Sequence, residues 1–189
     1  MDALDLLISD HNRTRGLFHR FDEAKEAGDH EQMAQLATEL RSELEVHMAI
    51  EEEIFYPEVN ELTAKVHDVV AESIEEHHEV KVLLGELVDL DVEDDAWLAK
   101  WTVVKENIEH HAGEEESELF PKVRSHTDAP QREALGRRLD DRKGELGAAT
   151  LADRSDLTND QVRALATEQQ IPGRSKMSAE ERRATVSPG

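Results

Sequence analysis

Residues 47–57, HMAIEEEIFYP, return as residues 111–121, HAGEEESELFP. Each copy is a His, a Glu four residues on, a second Glu, a large apolar pair and a Pro ten residues after the His. A lone His precedes each copy in matching context, His11 in HNRTRGLF and His77 in HHEVKVLL. The separations nearly agree, 36 residues from His11 to His47 and 34 from His77 to His111. A single His followed by His-x-x-x-Glu, given twice, is what four helices need to hold two metal ions between them.

The surrounding periodicity predicts those helices. The first, over about 2–27, ends near Gly28 and aligns Leu4, Leu7, Ile8, His11, Phe18 and Phe21. The second, over about 31–62, aligns Leu36, Leu40, Leu44, His47, Glu51, Ile54 and Glu58, with Pro57 expected to kink or break it. The third, over about 64–89, aligns Val66, Val70, Ile74, His77, Leu84 and Val88. The fourth, over about 95–125, aligns Trp97, Trp101, Val104, Ile108, His111, Glu115 and Leu119, with Pro121 in the place of Pro57. Short connections imply an all-α, up-down-up-down antiparallel four-helix bundle over 1–127. An additional helix and linker follow at 128–149. A small helix–loop–helix or partly disordered tail occupies 150–189, with Thr158 or Asn159 as one cap and Ser178 with Glu181 as a capping box.

Composition narrows the function classes. The net charge is −22. Residues 151–189 hold six acidic and six basic side chains, so the charge belongs to the first 150 residues. Such a surface repels nucleic acid and anionic membranes. There is no cysteine, which excludes disulfides, thiolate nucleophiles and Fe–S ligation. No apolar run approaches a membrane span and no signal sequence opens the chain, so the expectation is a soluble, cytoplasmic protein.

Residues four apart on a helix share a face. His47 with Glu51, and His111 with Glu115, each present an imidazole and a carboxylate inward, and His11 and His77 add two imidazoles. A His on an apolar stripe is more often a hydrogen-bonded core residue than a ligand. Four inward His and two inward Glu, however, would cost several kcal/mol in desolvation without a cation. The donor set suits Fe, Mn or Zn, and the lack of thiolate disfavours Cu(I). The adjacent His78 and His110 lie one step of about 100° around their helices and are assigned to the flank.

At these residues the chain resembles the hemerythrin-like, or HHE cation-binding, family, over about residues 3–125. The resemblance implies a four-helix bundle around a non-haem centre of two Fe ions with an oxo or hydroxo bridge. It makes His11, His47, Glu51, His77, His111 and Glu115 the metal ligands. His11 pairs with His47, His77 with His111, and Glu51 and Glu115 bridge. Oxygen-carrying members have a further His four residues after the one on the third helix, where this chain has Lys81. They also end on an Asp five residues after the last His, where this chain has Glu115 four residues after it. Iron-sensing members place an acid directly after the first motif His, where this chain has Met48. The repeat sets Arg15 opposite Lys81, which suggests a symmetric centre.

Arg15 and Lys81 are read first as ion-pair partners of a neighbouring Glu such as Glu52 or Glu116, and second as cations assisting peroxide or oxyanion binding. Tyr56 falls off the His47–Glu51 stripe and is read as structural. Glu52, Glu53, Glu114 and Glu116 are read as solvated, and His19, His30, His67 and His126 as surface. The tail, through IPGRSKMSAEE, weakly resembles a SAP-like or Rho N-terminal-like helix–loop–helix. Nucleic acid is expected at most weakly, through Arg174, Lys176, Arg182 and Arg183. Removal of the tail is expected to leave the bundle unchanged.

Three functions remain open. One is a binding protein for dioxygen, nitric oxide or peroxide, in sensing or iron handling. The second is a di-iron oxidoreductase with peroxidase- or catalase-like activity. The third is a metal-sensing module whose tail contacts nucleic acid or a partner. An apolar pocket with no proton donor favours the first, and a pocket open to water with Arg15 or Lys81 turned inward favours the second.

Overall fold

A computed structural model describes residues 1–155 and 157–187; Asp156, Pro188 and Gly189, at the margins of the tail assignment, lie outside the described residues. The described chain is helical throughout. Helix α1 (Ala3–Ala27) starts where the Asp2 carboxylate accepts from the N–H groups of Leu4 and Asp5. It stops at Gly28, whose φ of 69° is the left-handed conformation that closes a helix. Helix α2 (His30–Ile50) continues through a π turn (Glu51–Phe55) into α3 (Tyr56–Asn60). A short 3₁₀ turn leads to α4 (His67–Leu87). Helix α5 (Asp95–Glu114) then runs through a second π turn (Glu115–Leu119) into α6 (Phe120–His126). Helix α1 packs on α2, α4 on α5, α1 on α5 and α2 on α4, a closed ring of contacts.

Both π turns have one cause. Pro57 and Pro121 lack an N–H, and their rings crowd the carbonyl four residues back. The chain widens so that the N–H of Tyr56 donates to the Glu51 carbonyl and that of Phe120 to the Glu115 carbonyl, five residues back. The helix is therefore not broken at Pro57; it gains one residue in a single turn. That insertion shifts the inward face. Phe55, Tyr56 and Val59 are buried, whereas Glu58, expected inward, is exposed and Ile54 is half-buried.

The third helix also departs from its expected stripe. Its buried positions are Val66, Val70, Ser73, His77, Val80, Leu84 and Leu87, alternating by four and three. This seam is narrower than the amphipathic stripe drawn from the sequence. Ile74, at 42% exposure, and Val88, at 62%, fall outside it.

The seams build two apolar cores. One holds Phe18, Phe21, Leu40, Leu44, Met48, Leu84, Trp97, Trp101 and Ile108. The other holds Leu4, Leu7, Ile50, Phe55, Tyr56, Val70, Leu119, Phe120 and Leu139. Trp97 and Trp101 stack with a 5.0 Å centroid separation, and Trp101 also lies 4.4 Å from Phe21.

Helix α7 (Ala129–Glu145) begins with a capping box between Asp128 and Gln131 and lies against α1 and α2. The approach to α1 is close. A Cβ on Gly136 would stand 2.6 Å from the Met1 carbonyl oxygen. Beyond it, α8 (Asn159–Glu168) and α9 (Ala179–Thr185) carry capping boxes at Thr158 and Ser178 and share a small core of Val162, Ala166, Ile171 and Val186.

This tail docks on the bundle, contrary to the expectation that it stands apart. The buried Arg13 of α1 donates to the carbonyls of Ala184 and Thr185 at 2.8 and 2.9 Å. A Cβ on Gly16 would meet the Gln169 carbonyl oxygen at 2.6 Å. The balanced charge of the tail is irrelevant to this contact, because it uses main-chain carbonyls. Arg182 and Arg183 also turn inward, onto the carbonyls of Arg174, Met177, Arg154, Ser155 and Leu157. They are engaged where a nucleic-acid contact would need them free. No helix of the described residues is long and apolar enough to cross a membrane.

Candidate metal centre

Between the two cores lies a polar layer. His11, His47, Glu51 and Glu115 each offer a donor atom within 4.8 Å of the others, and so do Glu51, His77 and His111. All six side chains are buried, Glu51 and Glu115 completely. Each carboxylate reaches one imidazole from each His pair. Glu51 Oε2 lies 3.2 Å from His47 Nε2 and 3.4 Å from His77 Nε2. Glu115 Oε2 lies 3.3 Å from His11 Nε2 and 3.7 Å from His111 Nε2. His77 Nε2 and His111 Nε2 are 3.1 Å apart.

The other ring nitrogens face carboxylates further out. His11 Nδ1 meets Glu116 at 2.8 Å, His77 Nδ1 meets Glu52 at 2.9 Å, and His111 Nδ1 meets Glu76 at 2.9 Å. For His47 the corresponding group is Asp10, at 3.7 Å. An Nδ1–H given to a carboxylate leaves the Nε2 lone pair aimed at the centre, which is the tautomer a metal ligand requires. Glu52 and Glu116 are therefore anchors of the imidazoles, not a solvated face. Lys81 bonds Glu52 at 2.6 Å and Arg15 bonds Glu116 at 2.9 Å, which is the ion-pair role expected of those cations. Asp10 and Glu76 escaped the sequence reading. Their signal is an acid immediately before the lone His of each repeat.

The electrostatics are those of donors crowded out of water. Burial, followed by the charge of Glu115, pushes the Glu51 carboxyl well above its usual range. Burial and the neighbouring His111 hold His77 down to about 2, so it is a neutral imidazole. Burial also lowers His47. Burial lowers His11 too, but the nearby carboxylates of Glu115 and Glu116 outweigh this and raise it. His11 Nε2, His47 Nε2, both oxygens of Glu51 and Oε2 of Glu115 are buried and have no hydrogen-bond partner among the described residues. Buried polar atoms are normally paired. Imidazole nitrogens and carboxylate oxygens that converge in a buried layer with several of them unpartnered fit a cation.

Tyr56, off the His47–Glu51 stripe of an ideal helix, faces the layer. The widened turn after Glu51 brings its hydroxyl into the layer, where it donates to Glu115 Oε1 at 3.0 Å and lies 3.4 Å from His77 Nε2. Burial and the charges of Glu51 and Glu115 raise this phenol well above its ordinary range, so it keeps its proton. At the equivalent place in the other repeat Phe120 stacks on His11, with a centroid separation of 6.0 Å. The six donors are nearly symmetric, but their surroundings are not.

His78 and His110 are exposed, as are His19, His30, His67 and His126. His110 lies near Glu76 and Glu114, at 3.6 and 3.4 Å, on the outer surface. Glu53 is exposed and bonded to Arg142 at 2.8 Å. Beside the cluster is a cavity of about 10 Å³, lined by Phe18, Leu44, Met48 and Ile108 together with Thr14, Arg15 and the four inward imidazoles.

No curated protein and no solved structure matched this chain. The family model described as the hemerythrin HHE cation binding domain matches residues 2–123. All six inward donors fall within that segment, and the chain belongs to the hemerythrin HHE cation-binding family.

Proposed function

We propose that this protein is a di-iron protein that binds a small ligand such as dioxygen or nitric oxide. In this reading the ring of helix contacts is an up-down-up-down antiparallel bundle. His11 with His47 and His77 with His111 would hold one iron each, with Glu51 and Glu115 as carboxylates available to both. The observation that carries it is the sharing of each carboxylate between the two His pairs, with both carboxylates fully buried. An imidazole and carboxylate donor set suits iron, and manganese or zinc would accept the same donors. When bound, such a pair of ions supplies ligand binding and electron exchange with dioxygen-derived species.

The residues around the cluster favour binding over turnover. The cavity has room for one water-sized molecule and has apolar side chains in its walls. Arg15 and Lys81 are each ion-paired to an outer carboxylate, Glu116 and Glu52, and Lys81 does not line that cavity. The alternative, a peroxide-consuming oxidoreductase, has its own support. The Tyr56 hydroxyl is a buried proton donor on Glu115, on the side of the cluster away from the cavity.

The test is metal analysis with an optical spectrum, followed by dioxygen, nitric oxide and peroxide. About two irons per chain and spectral changes reversed by removing the gas support binding. Sustained dioxygen release from peroxide supports the alternative. Fully occupied mono-zinc protein from iron-replete cells would overturn both.

A further inference from the structure

We propose that Lys143, on helix α7 outside the family segment, withholds the Asp10 carboxylate from His47 and so makes the two metal sites unequal, with the His11–His47 ion the more easily removed. The inference rests on the metal-centre reading above and deepens it.

The repeat supplies the comparison. Asp10 precedes His11 as Glu76 precedes His77. Glu76 bonds His111 Nδ1 at 2.9 Å. By the repeat, Asp10 should bond His47 Nδ1 in the same way. It stands at 3.7 Å instead, beyond hydrogen-bond length, and that Nδ1 has no hydrogen-bond partner among the described residues. Of the four inward imidazoles, His47 alone lacks an outer carboxylate at bonding distance.

Two things differ: Asp10 is one methylene shorter than Glu76, and α7 is present in one copy and has no repeat counterpart. Its Lys143 is buried and takes both Asp10 oxygens, at 2.5 and 2.6 Å. Arg13 adds a second cation at 3.4 Å. The carboxylate is thus already committed to two cations. Two effects then weaken the His11–His47 site. His47 lacks the anion that would orient it and strengthen its Nε2 as a donor. An ammonium also sits one residue behind a cation-binding group. The close seat of Gly136 on the start of α1 fixes α7, and with it Lys143, in this position.

The experiment is iron release from the loaded full chain to a chromogenic Fe(II) chelator, with iron stoichiometry and an optical spectrum on each variant. The wild type should release its two irons in two phases. Lys143→Met keeps the side-chain volume and frees Asp10 to close on His47. It should slow the fast phase, with affinity at that site up roughly 10–100-fold, the usual scale of outer carboxylate effects. The slow phase should be unchanged. Glu76→Gln should weaken the slow site only. The double variant Asp10→Asn/Lys143→Met has no buried charge to strand, and it should lose the gain of the single variant. An unchanged or faster fast phase in a folded Lys143→Met, or a single release phase in the wild type, would overturn the inference and leave the di-iron reading intact. Absence of bound iron in the wild type would instead overturn that reading.

Discussion

Removing the metal should remove much of the stability of the bundle. His11 Nε2, both His47 ring nitrogens, both Glu51 oxygens and Glu115 Oε2 are buried without hydrogen-bond partners among the described residues. Each such atom costs about 1–3 kcal/mol. Together they reach on the order of 10 kcal/mol, within the whole net stability expected of a domain, about 5–15 kcal/mol. Ion-pair distances of 3.2–3.7 Å between the imidazoles and carboxylates recover part of that cost. Seen from the ligand side, each site filled at a hundred times its Kd adds about 2.7 kcal/mol. Two sites should therefore raise Tm by roughly 10–20 °C, at about 2–4 °C per kcal/mol for a chain of this size. The assay is calorimetry on chelated and iron-loaded protein, with Glu51→Ala, Glu115→Ala and Glu53→Ala in parallel. The first two variants should lose both ions together, because each carboxylate faces both His pairs. Glu53→Ala should behave as wild type, since Glu53 is exposed and bonded only to Arg142. Metal-free and loaded forms melting within about 2 °C of each other would refute the reasoning. Retention of one full ion in Glu51→Ala would refute the bridging role.

His77→Ala and His111→Ala should each lose iron, whereas His78→Ala and His110→Ala, at exposed positions, should keep it; equal loss from His78→Ala would contradict the burial seen here. Tyr56→Phe, which copies Phe120 of the other repeat, should keep two irons but lower metal-free stability by about 1.5–3 kcal/mol in a denaturant melt, for the lost bond to the Glu115 carboxylate. No change in that melt would argue against the bond. Gly16→Leu drives a side chain into the Gln169 carbonyl and Ile171. It should expose Arg182 and Arg183 to trypsin and cost about 1–3 kcal/mol, with iron content retained; cleavage as slow as in wild type would mean the tail does not rest on α1.

The six inward donors and the helices that carry them were legible in the sequence. The apolar stripe and the His-x-x-x-Glu spacing are local, and a fixed helical period converts them directly into a shared face. The flank assignment of His78 and His110 followed from the same period. The period failed where backbone chemistry altered it. Pro57 and Pro121 each force a π turn, the extra residue rotates everything after Glu51, and Tyr56, off the stripe of an ideal helix, turns into the polar layer. No count along an ideal helix contains that step. The remaining misses involve residues distant in sequence. Lys143 meets Asp10 across 133 positions, and Arg13 meets the α9 carbonyls across more than 170. Net charge concealed both, because a buried ion pair and a guanidinium on main-chain carbonyls leave composition unchanged. The sequence repeat determined a symmetric set of donors; the single copy of α7, and the place where it packs, decided that their surroundings are not symmetric.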